Sequence, residues 1–221
     1  MKTYVVIPAH NEAARISHVL ADVRSHVPDY GVIVVDDGSK DDTAAVAKKV
    51  MDVTVVRHRI NLGKGAALKT GCEAAMKYGA DILVLMDADG QHKASDVPKI
   101  VETLKNEQAD IVFGARTIGR DMPFMMMVGN KFLSVAISLL FGYYVSDTQS
   151  GFRAFRAGVY PALAWSGVAY EAETEMIVRA AKNKLKFSQM QIQTLYHDKY
   201  KGTTVFDGVR ILFNILMWKF L

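Results

Sequence analysis

The sequence has almost no cysteine. Cys72 stands alone, which excludes an intrachain disulfide and a cysteine-based zinc site and points to a reducing compartment. No basic leader with an apolar core and cleavage site precedes Tyr4-Val5-Val6-Ile7-Pro8, so no signal peptide is expected. No apolar run reaches the roughly 20 residues a spanning helix needs. The stretch 132–145 is interrupted by Ser134, Ser138 and Gly142, and the stretch 209–221 by Arg210, Asn214 and Lys219. Each can lie in a membrane interface or pack its apolar side on a core. Also missing are a Pro/Gly-rich linker, an internal repeat and a Ser-His-Asp or Cys-His arrangement. Basic residues are scattered rather than striped, so nucleic acid is not an expected partner.

What is present suits one sizeable folded domain. The chain has 221 residues, 50% hydrophobic and 23% charged, with a formal net charge of +4, an ordinary globular balance. The small positive excess fits an acidic partner such as a nucleotide, a lipid phosphate or an anionic bilayer, and equally fits an unremarkable basic protein. Short β-rich apolar runs at 4–7, 32–35, 53–57, 82–86 and 111–113 alternate with helical spacing at 13–26, 43–50, 65–78 and 97–106. That alternation predicts an α/β fold with a mostly parallel central sheet covered on both faces. Farther on, the pattern predicts a long apolar helix over 122–144, a turn into a short strand at 150–153, a helix over 173–183, a strand over 187–192 and a terminal helix over 205–220.

In open parallel sheets, ligands sit beyond the carboxyl ends of the strands. There the sequence is polar. Pro8-Ala9-His10-Asn11-Glu12 follows the first run, Asp36-Asp37-Gly38-Ser39 the second, Asp87-Ala88-Asp89-Gly90-Gln91-His92 the fourth and Gly114-Ala115-Arg116 the fifth. Asp87 and Asp89, one residue apart, can share a hard cation with a diphosphate, and Gln91 offers one more oxygen; Mg²⁺ takes oxygen ligands and keeps positions for substrate phosphate. Asp36 or Asp37 can accept hydrogen bonds from a ribose or base, or cap an exposed turn. Leu62-Gly63-Lys64-Gly65 opens a helix, where an anion is favoured, although a Walker loop's spacing and Lys-Ser/Thr pair are absent.

These segments, with Asp147-Thr148-Gln149-Ser150-Gly151-Phe152-Arg153 and Glu175-Met176-Ile177-Val178-Arg179-Ala180, occur in an order that resembles glycosyltransferase family 2, within it the dolichol-phosphate mannose synthase and polyprenyl-phosphate glycosyltransferase branch. The resemblance runs from residue 4 to about residue 210. It implies a GT-A fold, with a catalytic domain over 1–204 and an amphipathic, membrane-associated helix over 205–221. It implies a nucleoside-diphosphate sugar donor bound by Pro8, Ala9, Asn11, Glu12, Asp36, Asp37, Lys64, Asp87, Ala88, Asp89 and Gln91. Mg²⁺ or Mn²⁺ would be held by Asp87, Asp89, Gln91 and Glu175, with Glu173 as a second candidate from the same helix. Asp87, Asp89 and Arg116 would carry catalysis.

Acceptor phosphate would meet Arg116, Lys131, Arg153 and Lys201, with Arg153 alternatively supporting its own turn. Lys131 and Lys201 stand where relatives carry other basic residues, and a lysine is a point charge without the arginine fork. The implied reaction is inverting transfer of a hexose from GDP-mannose or a UDP-hexose to a polyprenyl or dolichyl phosphate, at the cytoplasmic face of a membrane with an anionic surface. A family member acting on a soluble or growing glycan, and a nucleotide-sugar binding module without turnover, remain open at this level. Oligomeric state is not legible.

Overall fold

The computed structural model describes residues 1–116, 124–168, 171–194 and 205–220. Seven strands form one sheet in the order β3-β2-β1-β4-β6-β5-β7. They are β1 (Thr3–Ala9), β2 (Gly31–Asp36), β3 (Val53–Arg57), β4 (Ile82–Leu85), β5 (Ile111–Arg116), β6 (Arg153–Arg156) and β7 (Phe187–Ile192). Every pairing is parallel except those of β6, which runs antiparallel between β4 and β5.

The central strands read as unbroken apolar runs because both of their faces are covered. Alternate side chains serve two separate cores. Val6, Ile33, Val35, Leu83, Leu85, Ile111 and Phe113 face one. Val5, Ile7, Val32, Val34, Ile82, Val84 and Val112 face the other. The first core is closed by α3 (Lys64–Lys77), α5 (Phe124–Phe141), α7 (Glu171–Lys182) and α8 (Val205–Phe220), the second by α1 (Ile16–His26) and α4 (Asp96–Asn106). Two short helices, α2 (Thr43–Ala47) and α6 (Tyr160–Leu163), complete the set. The strands at the two edges, β3 and β7, are only half-buried along most of their length, as edge positions allow.

The predicted elements are all present, with shifted ends. The helix expected from residue 13 starts at Ile16, because Glu12 to Arg15 form a turn in which the Glu12 carbonyl accepts from Arg15 and Ile16. The helix expected over 43–50 stops at Ala47. The start of the long apolar helix, at residues 122 and 123, lies outside the described residues. The α8 helix packs on α5 and α7, with Ile211 and Ile215 buried and Arg210 Nη2 2.8 Å from Glu171 Oε1.

Chain order reverses around β1 and β4: β2 and β3 lie to one side of that pair, and the later strands to the other. The carboxyl ends of β1 and β4 therefore flank a topological switch point. Residues 10–12 and 87–89 leave the sheet there.

Candidate functional site

The loop after β4 carries Asp87 and Asp89, both partly exposed, with Ala88 buried between them. Asp89 Oδ1 accepts the Gln91 amide at 2.9 Å, which folds the loop back on itself. Asp87 Oδ1 is 2.7 Å from Lys64 Nζ, and the same ammonium lies 2.9 Å from Glu173 Oε1. Three elements thus meet at one point: the β4 loop, the first residue of α3 and the first turn of α7.

Electrostatics follow from this crowding. Burial works against the charge of Lys64, but Asp87 and Glu173 outweigh it and hold the ammonium above the usual lysine range. Burial likewise opposes the Asp87 carboxylate; Lys64 leads the groups that nonetheless keep it below its ordinary value. Asp89 moves the other way, raised by burial and by the Asp87 charge. His92 is buried, stacks at a tilt 5.3 Å from Phe152 and accepts the Asp87 amide on Nδ1 at 3.2 Å. Burial pulls its pKa down, against the pull of Asp87 and Asp89.

At the end of β5, Arg116 is gripped by Asp147. Its Nε and Nη2 lie 2.6 and 2.9 Å from the two carboxylate oxygens, and its own amide donates to Oδ2 at 3.1 Å. Such a fork fixes the guanidinium plane. Asp147 belongs to a sequence motif but carries no role in the sequence reading; the bidentate partner became visible only once β5 and the 147–151 loop were folded together.

Several of the expected site residues have internal partners in the structure. Asp36 is fully buried, its carboxylate accepting the Ser39 amide at 3.0 Å and lying 3.0 Å from Arg57 Nε; it shapes the turn. Gly38 in that turn has φ +66°, and a Cβ there would lie 2.3 Å from the Ile60 backbone, so glycine is required. Asp37 is also buried. It accepts the amides of Leu62 and Gly63 at 2.9 and 2.8 Å and lies 2.7 Å from His58 Nδ1. The anion held at the head of α3 is therefore this side chain. The Gly65 amide is likewise taken, by the Val168 carbonyl at 2.8 Å.

Arg153 is 1% exposed, donates to the carbonyls of Ser150, Thr148 and Glu173, and lies 5.2 Å from the Phe113 ring centroid. Burial lowers its pKa to about 10. Its partners among the described residues are these backbone carbonyls, which fits the role of an internal strut of its turn. Glu175 is buried and surrounded: Ser166 N and Oγ, Gly167 N and Arg179 Nε all bind its carboxylate within 2.7–3.1 Å. These four donors satisfy the Glu175 carboxylate, and Glu173, two residues earlier, is the α7 carboxylate that reaches the Asp87 cluster.

The remaining positions are spread more widely. Pro8 and Ala9 end β1. Asn11 is exposed at φ 55°, its side chain accepting the Lys40 amide at 2.8 Å. Glu12 is buried, 3.3 Å from Arg15 Nη1. Lys131 is exposed on α5. Lys201 lies outside the described residues.

A seven-stranded, mostly parallel sheet with helices on both faces and an Asp-x-Asp loop at its switch point defines a GT-A fold. The chain belongs to glycosyl transferase family 2, whose model matches residues 4–163. It is 36% identical, over 98% of its length and 95% of the relative's, to the UDP-N-acetylglucosamine–dolichyl-phosphate N-acetylglucosaminyltransferase of Methanococcus voltae. It is 30% identical, over 99% and 94% of the two chains, to the undecaprenyl-phosphate mannosyltransferase of Micrococcus luteus. The fold is shared with glucosyl-3-phosphoglycerate synthase of Mycobacterium tuberculosis, solved with Mg²⁺ and UDP, at TM-score 0.76 and 22% identity over all of this chain and 80% of that one.

Among the described residues no three histidine, cysteine or acidic side chains form a ready-made metal cage. Asp87 and Asp89 supply an open, partial donor set, with Gln91 beside them. Burial first, and the neighbouring Asp87 carboxylate second, raise the Asp89 pKa. A hard cation that draws its other ligands from phosphate and water fits such a set.

Proposed function

We propose that this chain is an inverting hexosyltransferase that moves a sugar from a nucleoside diphosphate to a polyprenyl phosphate at a membrane face. The observation that carries the reading is the Asp87/Asp89 pair at the β1–β4 switch point, faced by Lys64 and Arg116. The likeness to two polyprenyl-phosphate sugar transferases over nearly the whole chain supports the acceptor class.

The reaction needs little acid–base help, because the attacking oxygen of a phosphate monoester is already anionic near neutral pH. That oxygen bonds to the anomeric carbon as the bond to the nucleoside diphosphate breaks, and the electron pair leaves with the diphosphate. The protein's task is to align the two and to stabilise charge on the departing group. Asp87 and Asp89, with Gln91, would hold Mg²⁺ or Mn²⁺, which when bound neutralises phosphate charge. Arg116, its plane fixed by Asp147, presents a cation to phosphate from the end of β5. The donor's nucleoside would lie over residues 8–12, at the end of β1.

Among the described residues no helix is long and apolar enough to cross a membrane. Contact with the lipid acceptor then falls to the paired helices α5 and α8, which form the amphipathic membrane-associated part of the reading.

A donor screen with GDP-mannose, UDP-glucose and UDP-N-acetylglucosamine against a short polyprenyl phosphate tests the proposal. Radiolabel should enter the organic-extractable lipid with one donor. Asp89→Ala should lower turnover by roughly a hundredfold or more while circular dichroism and melting stay near wild type. Near-normal turnover in that variant, or transfer only to a soluble glycan, would overturn the reading.

A further inference from the structure

The Asp87–Lys64–Glu173 cluster has a feature that the proposed transfer leaves unexplained. One ammonium is shared by two carboxylates from different elements, at 2.7 and 2.9 Å. Glu173 is 3% exposed, and its second oxygen, Oε2, is buried without a hydrogen-bond partner among the described residues. An orphaned buried acceptor is costly. The cluster is also closed on one side: a Cβ on Gly151 would lie 2.7 Å from Asp87 Oδ2 and 2.9 Å from Lys64 Nζ.

Charges do not balance either. Around the cluster, Lys64, Arg116 and Arg153 stand against Asp87, Asp89, Glu173 and Asp147. Arg116 is gripped by Asp147, and Arg153 by three carbonyls. Among the described residues Lys64 is the cation in contact with Asp87, one of the two carboxylates that would hold the metal. A flexible four-carbon stem lets an ammonium change partners at little geometric cost, which an arginine fork does not.

We propose that Lys64 is an exchangeable internal counterion: it holds the cation position on Asp87 in the absence of donor, and on donor binding it gives up Asp87 to the divalent cation and passes to the donor's diphosphate. This rests on the reading of Asp87 and Asp89 as the cation site. Its consequence is coupling. The cation alone binds weakly, because it must displace a paired ammonium that has nowhere better to go. The diphosphate alone binds weakly, because its partner is engaged. Together each relieves the other, so the site assembles only when both are present.

Calorimetric titration with Mn²⁺ alone, and again with the active donor's nucleoside diphosphate saturating, reads this directly. In the wild type the nucleotide should tighten Mn²⁺ by roughly a hundredfold. In Lys64→Met, Mn²⁺ alone should bind roughly tenfold tighter than in wild type, and the nucleotide should add less than about tenfold. The same variant should melt lower in EDTA, with Asp87 and Glu173 unpaired, and regain its melting temperature with Mn²⁺ alone. Lys64→Arg, which keeps the charge in place, should bind Mn²⁺ alone no better than wild type.

A folded Lys64→Met protein with wild-type Mn²⁺ affinity and undiminished coupling overturns the proposal. So does tight binding of Mn²⁺ alone by Lys64→Arg, the readout that stands if Lys64→Met fails to fold. Asp89→Asn separates the two levels. If Mn²⁺ binding survives that change, the cation site itself is misplaced; if it is lost while Lys64→Met behaves as wild type, only the role of Lys64 fails.

Discussion

At the scale of single residues, the site is built by side chains whose charge is used internally as much as by those that face a ligand. Arg153 shows the distinction. Its motif, Ser-Gly-Phe-Arg, suits turn support first and a phosphate contact second, and burial favours the turn. With Arg153 1% exposed and three carbonyls on its guanidinium, Arg153→Met should leave those carbonyls unpaired and cost about 3 kcal/mol or more. Lys131→Ala, at an exposed position on α5, should change stability by less than about 0.5 kcal/mol. Urea denaturation of both variants checks the contrast. A small loss at Arg153 would return it to the list of candidate ligands. Glu175 makes the same point: a carboxylate two residues from Glu173 on the same helix points to a different set of partners, because successive helical positions are about 100° apart.

At the scale of elements, glycine placement separates packing from surface. The α3 helix crosses β1 with Gly71 at the contact, where a Cβ would lie 2.3 Å from Val6 Cγ1 and 3.1 Å from Val35 Cγ2. Both valines are in fully buried central strands, so neither has room to yield. Gly71→Ala should therefore destabilise by about 1–3 kcal/mol, despite alanine's better helix propensity. Gly129, inside α5, has nothing within 4 Å of the equivalent position. There the same change should stabilise by up to about 1 kcal/mol. Thermal melts of the two variants should move in opposite directions; parallel shifts would mean that α3 does not press on β1 as described.

At the scale of the whole molecule, legibility in the sequence follows from how local each signal is. The strands β1, β2, β4 and β5 announce themselves because burial on both faces makes each a continuous apolar run. The Asp87-x-Asp89 loop is legible because the strand before it is. The grip of Asp147 on Arg116, 31 residues apart, is not, nor is the meeting of Lys64 with Glu173; both depend on the antiparallel entry of β6 and the placement of α7, which no local pattern encodes. The buried state of Asp36 and Asp37 is hidden for the same reason, since a loop's acidic side chain reads alike whether it faces solvent or neighbouring amides.

The two-helix face of α5 and α8 carries large apolar side chains left exposed among the described residues. Each helix buries one side, through Leu133 and Ile137 or Ile211 and Ile215, yet Val128, Phe132, Val135 and Leu139 stay exposed on α5, and Phe213, Leu216, Met217 and Phe220 on α8. The α5 set recurs at intervals of four, three and four, a stripe along one helix side. The two helices pack on each other, and each carries more exposed apolar side chains than the single scattered ones normal on a soluble protein. Exposed Lys131 and Arg210 lie on the same helices. If this face meets an anionic bilayer, the wild type should float with vesicles containing phosphatidylglycerol and release them as salt rises. Leu139→Asp combined with Phe220→Asp should cut flotation roughly tenfold or more, because each aspartate puts a charge into the interface in place of buried apolar area. Calorimetric binding of Mn²⁺ with nucleotide should be unchanged, since neither position is near the Asp87 loop. Unaltered flotation in the double variant would move the membrane contact to another surface of the molecule.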